Sequence, residues 1–90
     1  MNIIKDTHYT SQLISILRFI AKDKISAAIK FEKELEHEIQ GLVDFPLKYR
    51  ASVYFEDTSY RDLVYQGYTI IYKVQADAIW ILEIFKWVER

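Results

Sequence analysis

Arg61-Asp62-Leu63-Val64-Tyr65, then Gln66-Gly67, then Tyr68-Thr69-Ile70-Ile71-Tyr72-Lys73-Val74, a polar break at Gln75–Asp77, and Ile79-Trp80-Ile81-Leu82-Glu83-Ile84-Phe85-Lys86-Trp87. Three runs rich in β-branched and aromatic residues, parted by two tight breaks, predict an antiparallel meander. Gln66-Gly67 suits a two-residue hairpin, with glycine taking a positive φ. Strict alternation places Arg61, Leu63 and Tyr65 on one side of their strand. On the last strand it places Trp80, Leu82, Ile84 and Lys86 on one side, and Ile79, Ile81, Glu83, Phe85 and Trp87 on the other.

Working outward toward the N-terminus, Ile3–Lys5 predicts a short first strand. Thr10 or Ser11 is the expected N-cap of a first helix. Leu13, Leu17, Ile20 and Ala21 recur there at helical spacing, with Ile14 and Ile16 widening the stripe. That helix is expected to end near Lys22, broken by Asp23-Lys24. A second begins near Ile25 or Ser26, with Ala28, Phe31, Leu35, Ile39 and Leu42 as its apolar face. Glu32, Lys33, Glu34, Glu36 and Glu38 read as a solvated, ion-paired outer face. Asp44-Phe45-Pro46 cannot continue the helix. Residues 47–60 lack a period and predict an ordered loop, or a short strand around Ser52–Phe55. The expected fold is α+β: an N-terminal strand, then a helical hairpin packed on one face of a mostly antiparallel twisted sheet that ends in a three-stranded meander.

Ninety residues make one domain, spanning 1–90, with a thin core. The chain lacks cysteine, which excludes disulfides and thiolate chemistry and fits a reducing cytoplasm. No apolar run has the length of a secretory signal or a membrane span. The expected setting is therefore cytoplasmic, without membrane contact. Net charge is −1 and the halves are nearly balanced, so a nucleic-acid role needs a local basic patch. Gly41 and Gly67 are the only glycines, which rules out a glycine-rich phosphate loop. His8 and His37 have no ligand partner at metal spacing, so neither metal nor cofactor is expected. What remains is a basic and phenolic set in the C-terminal half: Lys48, Arg50, Arg61, Lys73, Lys86 and Arg90, beside Tyr65, Tyr68 and Tyr72. These cations can meet an anion on the sheet, or pair with Glu56, Asp62 or Glu83 as ordinary ion pairs.

Phe45-Pro46-x-x-x-Arg50, Tyr60-Arg61-Asp62-Leu63-Val64, Gly67-Tyr68-x-Ile70-Ile71-Tyr72-x-Val74 and Ile79-x-Ile81-Leu82-x-Ile84-Phe85 occur in that order. Together with Lys30-Phe31-x-x-Glu34-Leu35, this pattern resembles the RelE/ParE family, the toxins of type II toxin–antitoxin modules often described as plasmid stabilisation proteins. The resemblance covers nearly the whole chain. It implies a cognate antitoxin and a hetero-oligomer with it.

The family holds two activities. RelE-like members cut mRNA on the ribosome with basic residues and a Tyr or His of the sheet; ParE-like members inhibit DNA gyrase. Many members carry His after the Ile-Phe of the last strand, where this chain has Lys86. A frequent Arg two residues before that Phe is Glu83 here. Both departures weaken a nuclease centre, which needs proton transfer and stabilisation of charge on phosphate. The resemblance therefore implies a ParE-like gyrase inhibitor with no catalytic residues. The target and partner contacts are expected at Arg50, Arg61, Lys86, Trp87, Arg90, Tyr54 and Phe55, with Phe19 and Tyr49 as further ring anchors. The alternative is a ribosome-dependent endoribonuclease using Arg61, Lys86 and Tyr72 (or Tyr65 or Tyr68), with ribosome and mRNA as partners. A third reading is a non-toxic relic that still pairs with an antitoxin.

Overall fold

The computed structural model describes residues 1–86. Strand β1 spans Asn2–Lys5, helix α1 Thr7–Asp23, helix α2 Ile25–Gln40, and a single 3-10 turn Gly41–Val43. Strands β2 (Tyr60–Tyr65), β3 (Tyr68–Gln75) and β4 (Ala78–Lys86) follow. The sheet order is β1-β4-β3-β2; β1 runs parallel to β4 and the other pairs are antiparallel. The α+β architecture expected from the sequence is the one observed.

Helix α1 begins earlier than Thr10 or Ser11. Asp6 is its N-cap, and its carboxylate accepts from the His8 amide at 2.8 Å. Thr10 lies inside the first turn and its hydroxyl donates back to the Asp6 carbonyl at 3.3 Å. The earlier start carries Tyr9 into the core, where it is 1% exposed. Lys24 alone separates the helices; its extended backbone (φ −156°) lets the chain reverse. Between β2 and β3, Gln66 and Gly67 both take positive φ (47° and 83°), the geometry of a type I′ hairpin turn.

The helices cover one face of the sheet. Phe31, Leu35, Ile39 and Leu42 meet Leu63, Ile70, Tyr72, Ile79, Ile81 and Ile84 there. Strict alternation along β4 cannot produce that list, since Ile81 and Ile84 are three residues apart. The register explains it. Tyr72 faces Ile81 but Ile71 faces Glu83, so Leu82 is an extra residue with no partner across the ladder. The bulge shifts the pleat by one. Ile79, Ile81 and Ile84 all face the helices, while Trp80, Glu83 and Phe85 face the other way, a correction to the alternation expected from sequence. Each isoleucine brought to the core contributes about 1.5–3 kcal/mol of burial.

Deleting Leu82 leaves Ile81, Glu83 and Ile84 in simple alternation opposite Tyr72, Ile71 and Ile70, so Ile84 stays inward and the ladder becomes regular. Urea unfolding of that deletion variant is expected to show a loss of no more than about 1 kcal/mol, similar to Leu82→Ala, and a loss of about 3 kcal/mol or more would contradict the bulge.

Candidate functional site

The residues between the 3-10 turn and β2 form no regular element beyond an isolated bridge between Ala51 and Arg61. The short strand expected around Ser52–Phe55 is absent. Side chains from the sheet fix this segment instead. The Tyr72 hydroxyl donates to the Pro46 carbonyl at 2.9 Å. Arg61 donates from Nε to the Thr58 carbonyl (3.0 Å) and from Nη1 to the Tyr49 carbonyl (3.1 Å). Asp62 Oδ2 accepts from the Val53 amide at 3.2 Å and lies 3.7 Å from Arg50 Nη2. Three backbone bonds, Ser52 N–H to the Tyr60 carbonyl (2.8 Å), Asp62 N–H to the Arg50 carbonyl (3.1 Å) and Val74 N–H to the Ser59 carbonyl (2.9 Å), complete the attachment.

Arg61 and Tyr72 are cross-strand partners, so the sheet does bring two of the sequence candidates together. Both are engaged with backbone carbonyls, and Tyr72 is fully buried. Burial lifts its phenol to about 12 against the lowering pull of Arg61. Lys86 is opposite Tyr68, four residues along β3 from Tyr72, roughly 13 Å away at strand spacing. Tyr65 donates to Glu34, and burial followed by that carboxylate raises its phenol to about 12. Tyr68 packs edge-on to Phe31, 5.3 Å between ring centroids. Glu83 lies on the face away from Tyr72, 3.8 Å from His8 Nε2.

Of the expected ring anchors, Tyr49 is half-buried and donates to Glu38 at 2.9 Å. Phe19, Tyr54 and Phe55 are exposed. Tyr54 meets Phe85 edge-on at 5.5 Å, and Phe55 stacks on Tyr60 at 4.0 Å, with Lys73 Nζ 4.8 Å from the Tyr60 ring. These contacts lay residues 53–55 on the sheet face away from the helices, whereas Lys86, exposed at the end of β4, alternates with Phe85 back to the helix side near Phe19. Trp87 and Arg90 lie outside the described residues. Among the described residues no group of three or more His, Asp or Glu side chains could hold a metal ion, and no helix is long and apolar enough to cross a membrane.

With that geometry in hand, comparison with known proteins is decisive. The family model described as "ParE toxin of type II toxin-antitoxin system, parDE" matches residues 7–86. The chain belongs to the ParE toxin family. It is the toxin domain of a type II toxin–antitoxin system, and family membership implies a cognate antitoxin as its partner. Among solved structures, this ParE toxin is similar to a chain of the chromosomal ParDE toxin–antitoxin system from P. aeruginosa. The TM-score is 0.78 at 18% identity, covering 96% of this chain and 95% of that one, a likeness of fold. No curated protein matches.

Sequence reasoning missed Asp62 in this ParE toxin. It entered only as an ion-pair partner for the basic residues of the C-terminal half, whereas it is 1% exposed and holds the loop from the face opposite the helices. The available signal was its position: an acid between Arg61 and Leu63 in an apolar strand must find partners when buried.

Tyr72 has a consequence for alkaline stability. Its folded pKa is raised above the ordinary 10.0, so its contribution is complete below pH 10 and is lost as pH rises from 10 toward 12. In Tyr72→Phe the decline of stability across that window should be shallower than in the wild type, at an overall cost of about 1–2 kcal/mol for the unpaired Pro46 carbonyl. Denaturant melts at several pH values between 8 and 12 measure both. An identical alkaline decline in the two proteins contradicts this assignment.

Proposed function

We propose that the toxin acts by inhibiting DNA gyrase and is silenced by its antitoxin in a hetero-oligomer. One observation carries the choice over ribonuclease chemistry. The Arg61 guanidinium is bound to the Thr58 and Tyr49 carbonyls, and the Tyr72 hydroxyl is buried on Pro46. A ribonuclease needs an accessible acid–base group beside a cation free to meet the phosphate. Here the adjacent pair supports the loop, and Lys86 is roughly four residues of strand away.

The surface that fits target recognition is the sheet face away from the helices, where Tyr54 touches Phe85 and Phe55 stacks on Tyr60 beside Lys73. Exposed rings beside a cation are the residue types that dominate protein–protein contacts. Arg50 and Arg61 serve this surface indirectly, by holding the segment that carries Tyr54 and Phe55.

Purified toxin is expected to block gyrase supercoiling of relaxed plasmid, and added antitoxin to restore it. The double substitution Tyr54→Ala with Phe55→Ala should raise the half-inhibitory concentration on the order of tenfold or more while leaving the fold intact. Codon-positioned mRNA cuts in a translating extract, with supercoiling untouched, would favour the ribonuclease instead. Harmless expression without antitoxin would favour the relic.

A further inference from the structure

The two helices differ in charge. Helix α1 carries no carboxylate from Thr7 to Lys22, its one acid being the last residue, Asp23, whereas α2 carries Glu32, Glu34, Glu36 and Glu38. Arg18 and Lys22 are exposed on α1 to either side of Phe19 in sequence, and Phe19 is itself 66% exposed. Beside Phe19 a groove of about 320 Å³ opens between α1 and the end of the sheet, walled by Ile16, Phe19, Tyr68 and Ile84. Lys86 stands at its rim, the one charged group among the described residues that line it. Lys86, Arg18 and Lys22 make no ion pair among the described residues.

This groove is continuous with the ring surface on the other face of the sheet. Phe85 lines it, and the same ring meets Tyr54 edge-on at 5.5 Å. Strand β1 pairs with β4 only as far as Ile81, so past that point no strand separates the two faces at this edge. The Gln12 carboxamide takes the place of a strand there, accepting from the Ile84 amide at 2.9 Å. A chain laid over Tyr54 and Phe85 can therefore pass around the edge of β4 and reach Phe19 without crossing regular structure.

We infer that the toxin's target presents an acidic–apolar segment to this groove, with an apolar side chain against Ile16 and Phe19 and a carboxylate on Lys86. The partner rests on the proposed action on gyrase; the groove adds the chemistry that the partner brings. Exposed aromatic surface beside a lone cation favours an apolar side chain paired with one acid. A phosphate backbone fits less well, because it is held by several cations and the walls here are apolar.

The probe is 4-phenylbutyrate, titrated into labelled toxin and followed by amide NMR, with neutral 4-phenylbutanamide as control. Saturable shifts at Ser15, Phe19, Tyr68 and Lys86 are expected with the acid, which should bind roughly threefold tighter than the amide and lose that advantage in Lys86→Gln. Equal affinity for acid and amide, or undiminished binding of the acid to Lys86→Gln, overturns the site. On gyrase, Lys86→Glu should raise the half-inhibitory concentration on the order of tenfold or more, since the reversed charge repels the carboxylate. Its Tm should match the wild type, because Lys86 is exposed. Unchanged inhibition by Lys86→Glu, where the wild type does inhibit, overturns the segment as occupant while leaving gyrase as the target. A wild type that leaves supercoiling untouched overturns the gyrase reading and this occupant together.

Discussion

Arg61 and Asp62 are neighbours in β2, so their side chains leave the sheet on opposite faces, and each binds the same irregular segment. Arg61 takes the Thr58 and Tyr49 carbonyls from the helix side. Asp62 takes the Val53 amide and lies near Arg50 from the other. A segment of this length with so little regular structure has few backbone bonds of its own, and its ordering entropy must be offset by something else. Charge-assisted bonds to backbone groups supply that, and they are stronger than neutral ones. The positions of Pro46 over Tyr72, of Tyr54 against Phe85 and of Phe55 on Tyr60 all follow from this clamp.

The same clamp bears on function. A guanidinium that holds two carbonyls is not available to a phosphate, and a phenol kept neutral by burial is a poor proton shuttle near neutral pH. What the clamp displays, on the sheet face away from the helices, is a pair of exposed rings, Tyr54 and Phe55, with Lys73 near them. The bulge at Leu82 contributes from the other side. By shifting the pleat it sends Ile84 to the core and Phe85 outward, where Phe85 supports Tyr54. One unpaired residue thus serves both the core and the exposed rings.

Much of this was legible in the sequence. The hairpin at Gln66-Gly67, the helical stripes and the element order depend on local periodicity and turn chemistry, which a single chain displays directly. The family followed from the order of short phrases such as Tyr60-Arg61-Asp62-Leu63-Val64. The misses have a common cause. The cap at Asp6, the bulge at Leu82 and the burial of Asp62 depend on contacts between residues distant in sequence, and no local period encodes them. Arg61 was visible as a candidate, but its carbonyl partners at Tyr49 and Thr58 come from a stretch with no readable pattern.

The central claim is that side chains of β2, rather than regular backbone structure, hold the segment before it in place. Amide hydrogen exchange at Val53, compared between wild type and Asp62→Ala, addresses that most directly. The Val53 amide should be protected in the wild type and exchange on the order of tenfold faster or more in the variant, while the amides of Ile70 and Ile84 in β3 and β4 keep their protection. A Val53 amide that exchanges equally fast in both proteins would contradict the account.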